Sequence, residues 1–185
     1  GNHGIAIAAI GKEMGIAVTV VMSGKAPQRS QARIKASGAT LLLTPDAGAA
    51  FELAEQECAA KGMTYIHSYD DPKIIAGHGT VGKEFIADQP DLTDVLVSIG
   101  GGGLISGCAV ALKAANPAIR IWGVETEGAD AMTQALLIGA PVKIEVTSIA
   151  TTLGAPSVTE RSLSHVQALV ETVITVTDAE AVGGI

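Results

Sequence analysis

The sequence predicts an α/β chain in which parallel sheet is covered by helices. Three observations predict it. Short apolar runs alternate with helical patterns along the chain, those runs are continuous rather than alternately polar and apolar, and glycine or proline marks most junctions. With 185 residues, 48% of them hydrophobic, the chain can bury a sizeable core.

The chain opens on Gly1-Asn2-His3-Gly4, which has the composition of a loop, and residues 5–14 (IAIAAIGKEM) then read as a helix closed by Gly15. Residues 17–22 are a strand. Pro27 stands near the start of a second helix through Lys35, where its missing amide does no harm, and Gly38 ends that helix. Residues 39–43 form a strand. Residues 47–60 form a third helix, with Phe51, Ala54 and Cys58 on one face and Gly62 as its C-cap, and residues 63–67 read as the next strand. The polar stretch SYDDP at 68–72 is the expected boundary between a small α/β domain, 1–68, and part of a large cofactor-binding α/β domain, 69–185.

In the second part, a helix covers 74–88 and the strand DVLVSI runs from 94 to 99, followed by a glycine loop at 100–103 and a helix at 104–115. Ile105, Cys108, Ala109 and Leu112 give that helix the i, i+3, i+4, i+7 spacing of a buried stripe, and Asn116-Pro117 ends it. A strand at 119–125 and a helix at 129–138 follow, then an aperiodic stretch at 147–157 that reads as an ordered loop, a helix at 158–170 and a strand at 172–176. Residues 179–185 look like a helix just starting. Both ends therefore read as cut, the pattern expected of an internal fragment.

Composition excludes several functions. Twelve Lys and Arg against nineteen Asp and Glu give a net charge of -7, which offers no overall attraction to a phosphate backbone, and aromatics are only 3%. Nucleic acid is excluded as a partner on these grounds. Hydrophobic runs are too short for a transmembrane span, so no membrane partner is expected. Cys58 and Cys108 are too few for a disulfide framework and lack zinc-site spacing, which fits a reducing, cytoplasmic setting.

The sharpest motif is Ser98-Ile99-Gly100-Gly101-Gly102-Gly103-Leu104-Ile105-Ser106-Gly107. Four glycines after an apolar strand and before a helix can turn several amides into one small volume at the positive end of that helix, which suits a phosphate. No lysine lies between Lys83 and Lys113, so a nucleoside-triphosphate P-loop is excluded. Two other readings remain open here: a dinucleotide site with Glu125 at the end of the following strand, and glycines that merely let strand and helix pack closely.

Gly1-Asn2-His3, Gly77-His78-Gly79-Thr80 and Ser98 to Gly103 with Leu104, in this order within this frame, closely resemble the fold-type II pyridoxal-phosphate enzymes, the tryptophan synthase beta-like fold. Threonine/serine dehydratases (threonine ammonia-lyases) and serine racemase look nearest. The resemblance implies that Asn2 bonds the 3'-oxygen of pyridoxal 5'-phosphate and that Gly1, Asn2 and His3 grip the substrate carboxylate. It implies further that Gly100, Gly101, Gly102, Gly103 and the amide of Leu104 hold the cofactor phosphate, and that the backbone of Gly154 lies beside the ring. Leu153 departs from the acidic residue that many members carry.

The same resemblance implies a divalent-metal site at Glu125, with the carbonyl of Ala129 and an acid six residues on. That last position is Ala131, with Asp130 offset by one, so a set suited to Mg²⁺ or Ca²⁺ is incomplete. The Schiff-base lysine is expected upstream of Gly1 and the group facing the pyridine nitrogen downstream of Ile185, so the catalytic residues stay unknown. His165 reads as solvated, His67 as packed at a strand end, and His78 as part of a glycine-bounded loop or helix start.

The implied activity of the intact protein, a homo-oligomer, is dehydration and deamination of L-threonine and/or L-serine to a 2-oxo acid and ammonia. The alternatives are serine racemisation, a cysteine synthase-like β-replacement and a noncatalytic phosphate-ligand binding module. A branched side chain at Gly102 is expected to harm cofactor retention far more than one at Gly107, which lies inside the helix.

Overall fold

The structure is a computed structural model that describes residues 1–151 and 153–184. The chain divides into two compact units, Gly1–Tyr65 and Ile66–Ile185.

The first unit runs α1 (Asn2–Met14), β1 (Thr19–Ser23), α2 (Gln28–Ala36), β2 (Thr40–Thr44) and α3 (Ala47–Lys61). Its two strands pair in parallel, Thr19 opposite Thr40 through Ser23 opposite Thr44, as two strands joined by a helical crossover must. Ala8, Val20, Met22 and Ile34 form the buried centre. Gly15 and Gly62 close α1 and α3 in the left-handed conformation that glycine adopts without steric cost. Asp46 caps α3 by accepting the Ala49 amide at 2.8 Å.

Two expectations fail in this unit. Residues 1–4 are not a loop: Gly1 is the N-cap of α1, and Asn2 and His3 lie in its first turn. A Cβ on Gly4 would lie 2.7 Å from Val20 Cγ1, so packing against β1 requires that glycine, and its presence did not signal a flexible lead-in. Residues 63–67 are not a strand. Their side chains have strand-like character, but the sheet of this unit is built from β1 and β2, and a strand exists only where a neighbour supplies a continuous ladder.

The second unit runs α4 (Pro72–Asp88), β3 (Asp94–Ser98), α5 (Gly103–Ala115), β4 (Arg120–Thr126), α6 (Ala131–Ile138), α7 (Glu160–Leu169), β5 (Thr172–Val176) and α8 (Asp178–Gly183). The three strands form a parallel sheet in the order β3-β4-β5. The predicted stripe of α5 is buried: Ile105, Ala109 and Leu112 are 0% exposed and Cys108 is 1%. Each large aliphatic side chain so placed contributes about 1.5–3 kcal/mol. Leu96 on β3 and Ile174 on β5 remain exposed at 67% and 42%. No helix among the described residues is long and apolar enough to cross a membrane.

Gly77, His78 and Gly79 fall within α4, not in a loop or at a helix start. The reason is the close packing of α4 on α5. A Cβ on Gly79 would lie 3.1 Å from the Gly107 carbonyl oxygen, one on Gly82 3.1 Å from that of Cys108, and one on Gly107 2.2 Å from that of Ile75. These glycines bring two helix backbones together, which individual helix propensities could not reveal. Gly107 is therefore no tolerant control for Gly102, contrary to the sequence expectation.

Gly107→Val should destabilise the protein by about 3 kcal/mol, because the new side chain meets backbone that cannot move aside. Gly77→Ala, where nothing lies within 4 Å of the added carbon, should stabilise it by about 0.5–1 kcal/mol. Urea titrations of the two variants followed by circular dichroism check both signs.

Candidate functional site

The loop between β3 and α5 is a buried helix start without a cap. Gly102 is the N-cap of α5, has no side chain to offer and sits at φ 88. Gly101, Gly102, Gly103 and Ile105 are all buried. The only bond closing the first turn runs from the Ser106 amide to the Gly102 carbonyl at 3.0 Å; among the described residues no protein group accepts from the amides of Gly100 to Ile105. A helix start normally leaves such amides to water or a side-chain cap, and burying them without either is costly. The arrangement fits an anion, which would receive several N–H bonds and the positive end of the helix dipole together. Leu104 adds its amide while its side chain is 36% exposed.

Three segments press on this loop, each at a place where a Cβ could not stand. Carbon added at Gly100 would lie 2.0 Å from the Leu153 carbonyl oxygen, at Gly101 2.3 Å from the Tyr69 ring, and at Gly102 2.6 Å from Ser162 Cβ. At Gly103 it would meet the Tyr69 backbone at 2.9 Å. The glycines thus serve packing and amide exposure at once.

The stretch 67–71 is a strap on this loop rather than a neutral turn. His67 Nδ1 accepts from the amides of Tyr69 at 3.2 Å and Asp70 at 2.9 Å, and the His67 and Tyr69 rings meet edge to face at 4.5 Å. The Tyr69 hydroxyl donates to the Ser157 carbonyl at 3.1 Å. Burial, helped by the Asp70 charge, pushes its pKa up to about 12, so the phenol keeps its proton. Asp70 accepts from Thr159 Oγ1 and from Arg161 Nε, at 3.1 and 3.2 Å. Asp71 caps α4 through the amides of Lys73 and Ile74. None of these roles was visible in sequence beyond an Asp before Pro72, which is a helix-start signal.

Glu125 has a structural role that sequence reading missed. It is 0% exposed, and its carboxylate accepts from the amides of Met132 at 2.9 Å and Thr133 at 2.8 Å and from Thr133 Oγ1 at 2.8 Å. It replaces the cap that Asp130 fails to give α6. Burial pushes its pKa up, against the opposing pull of these three bonds. The available signal was a carboxylate at a strand end a few residues before a helix. Ala129 is 1% exposed, and its amide bonds the Thr126 carbonyl at 2.9 Å. Among the described residues no group of three or more His, Cys, Asp or Glu is placed to hold a metal ion.

Gly154 lies against Val146, 2.5 Å from the position of an added Cβ, and its amide bonds the Ala150 carbonyl at 3.0 Å. The aperiodic stretch 147–157 contains Thr152, which is outside the described residues. Gly1, Asn2 and His3 belong to the first unit, at the start of α1. His165 is not simply solvated: its Nδ1 is buried without a partner, as are His78 Nδ1 and Ser106 Oγ. His165 also lines an apolar groove of about 410 Å³ with Ile75, Gly79 and Val110, a groove that does not include Gly100 to Gly103.

A sequence profile described as "Pyridoxal-phosphate dependent enzyme" matches residues 1–185. The chain is 42% identical over 135 residues to the catabolic L-threonine dehydratase of Staphylococcus aureus, covering 72% of this chain and 39% of that protein. It is 37% identical over 146 residues to the L-threonine ammonia-lyase of Thermotoga maritima, covering 78% and 36%. The structure of maize serine racemase superposes with a TM-score of 0.90 at 33% identity, over 99% of this chain and 56% of that one. The chain thus spans well under half of the curated relatives' length.

Removing the Glu125 carboxylate should strand the Met132 and Thr133 amides, and Glu125→Ala should cost about 2 kcal/mol in urea unfolding. Because the folded pKa of Glu125 is raised above its unfolded value, the native state favours the protonated form. Its contribution is full below the unfolded pKa and declines as pH rises through the folded one. Stability of the unaltered protein relative to Glu125→Gln should therefore fall with pH across that window.

Proposed function

This chain belongs to the pyridoxal-phosphate dependent enzymes, and we propose that the intact protein dehydrates and deaminates L-threonine and/or L-serine to a 2-oxo acid and ammonia. The observation that carries the cofactor assignment is the buried, uncapped start of α5, whose amides from Gly100 to Ile105 lack protein acceptors among the described residues. The substrate assignment draws on the printed activities of the two curated relatives. When bound, pyridoxal phosphate supplies an electron sink for the pair left by removal of an α-proton.

In this reading the amides of Gly100, Gly101, Gly102, Gly103 and Leu104 hold the cofactor phosphate. The dipole of α5 stabilises its charge, and glycine lets the backbone approach it closely. Tyr69, Leu153 and Ser162 wall the loop so that the amides converge without rearrangement. Tyr69 holds its proton throughout, because its raised pKa leaves the hydroxyl a donor to Ser157. By resemblance we assign Asn2 to the 3'-oxygen of the ring, Gly1, Asn2 and His3 to the substrate carboxylate, and Gly154 to a backbone beside the ring. An intact homo-oligomer is part of the same proposal.

The test is to supply the full-length protein with L-threonine and L-serine and follow 2-oxo acid and ammonia. Release of both supports the reading. Inversion of serine without ammonia favours racemisation, efficient addition of sulfide to an activated serine favours β-replacement, and cofactor binding with no turnover favours a noncatalytic module. Gly102→Val, which must place a branched side chain at φ 88 and against Ser162, should weaken pyridoxal phosphate binding at least tenfold in equilibrium dialysis, whereas Gly77→Ala should leave it unchanged.

A further inference from the structure

We propose that Asp178 is a positioning residue for the glycine loop, acting through Ser148 and the segment that ends on Gly154; the inference rests on the anion-cradle reading above. Asp178 is the first residue of α8, and its carboxylate takes two bonds from the aperiodic loop: Ser148 Oγ donates to Oδ1 at 2.6 Å, and the Ile149 amide donates to Oδ2 at 3.1 Å. A carboxylate can only accept, so the single hydroxyl proton of Ser148 is committed to Asp178. The Ser148 oxygen must then be the acceptor for Thr126 Oγ1 at 2.9 Å and for the Ala150 amide at 3.0 Å. Ser148 and Thr126 are each 5% exposed, so the bond between their hydroxyls is shielded from water, while the Ile149 amide meets Asp178 at the surface.

The path continues without a gap to the cradle. The Ala150 carbonyl accepts from the amides of Leu153 and Gly154, both at 3.0 Å. The carbonyl of Leu153 is the group that stands where a Gly100 side chain would be. Direct bonds run from Asp178 to 148 and 149 and from Ala150 to 153 and 154, and the last link is packing: the Leu153 carbonyl stands against Gly100 with no room for a Cβ between them. No other anchor on the path carries charge, and a charge-assisted bond is the stronger kind. Loss of the carboxylate lets the segment relax away from Gly100, and the amides that follow it no longer converge on one point.

The experiment is equilibrium dialysis of the full-length protein against pyridoxal phosphate and, separately, inorganic phosphate, for the unaltered protein and for Ser148→Ala, Ser148→Thr, Asp178→Asn and the Ser148→Ala/Asp178→Asn double variant. Hydrogen exchange is followed in parallel on peptides covering Gly100 to Ile105 and on peptides of α4 in the same unit, which report whether each variant keeps its fold. We expect Ser148→Ala and Asp178→Asn each to weaken binding of both probes about tenfold, the double variant to lose no more than either, and Ser148→Thr to stay within twofold. Exchange should accelerate at residues 100–105 with the α4 peptides unchanged. The inference is overturned if the variants bind as tightly as the unaltered protein, or if Ser148→Thr loses as much as Ser148→Ala. Failure of the unaltered protein to bind either probe overturns the cradle reading itself.

Discussion

Everything around the candidate site depends on one constraint, a stretch of backbone from Gly100 to Gly103 that has to be touched from several sides and has no room for a single β-carbon. Leu153, Tyr69 and Ser162 all approach within distances that side chains would forbid. A loop this tightly enclosed would ordinarily satisfy its amides internally. Among the described residues these amides have no protein acceptor, so the enclosure makes them costly to leave unbonded. The same geometry explains why the loop is followed by a helix rather than by further coil. Only a helix start presents consecutive N–H groups on one side while handing its remaining polar groups to an internal ladder.

The surrounding elements read as a supporting shell whose polar groups are spent on backbone. Glu125 caps α6, Asp71 caps α4, His67 holds the amides of Tyr69 and Asp70, and Asp178 holds Ser148 and Ile149. Groups that look chemically ready in sequence are thus engaged as acceptors for amides. A buried carboxylate with three donors serves as a cap for α6.

A second close approach, between α4 and α5, fixes the helix that carries the loop. Gly79, Gly82 and Gly107 bring the two backbones into contact, so α5 is held from the side by helix packing as well as from the ends of β3 and β4. The position of the glycine loop is therefore set by helix packing as much as by the strand it follows.

Much of this was legible in the chain alone, because the deciding signals are local. The period of apolar residues placed the buried stripe of α5, glycines at 15 and 62 marked left-handed helix ends, and four glycines between a strand and a helix placed a tight loop there and carried the family resemblance. What sequence could not decide depended on a partner distant in the chain. Gly4 read as loop because nothing local says that Val20 will press on it. Residues 63–67 read as strand because side-chain character does not reveal whether a neighbouring strand will pair. Gly107 read as a tolerant helical position because the Ile75 carbonyl that forbids a side chain there lies thirty-two residues away. Glu125, Tyr69 and Asp178 acquired their roles the same way, through hydrogen bonds and contacts that only the folded chain brings within reach, since propensity is a property of a residue and its near neighbours while packing and polar satisfaction are properties of the whole.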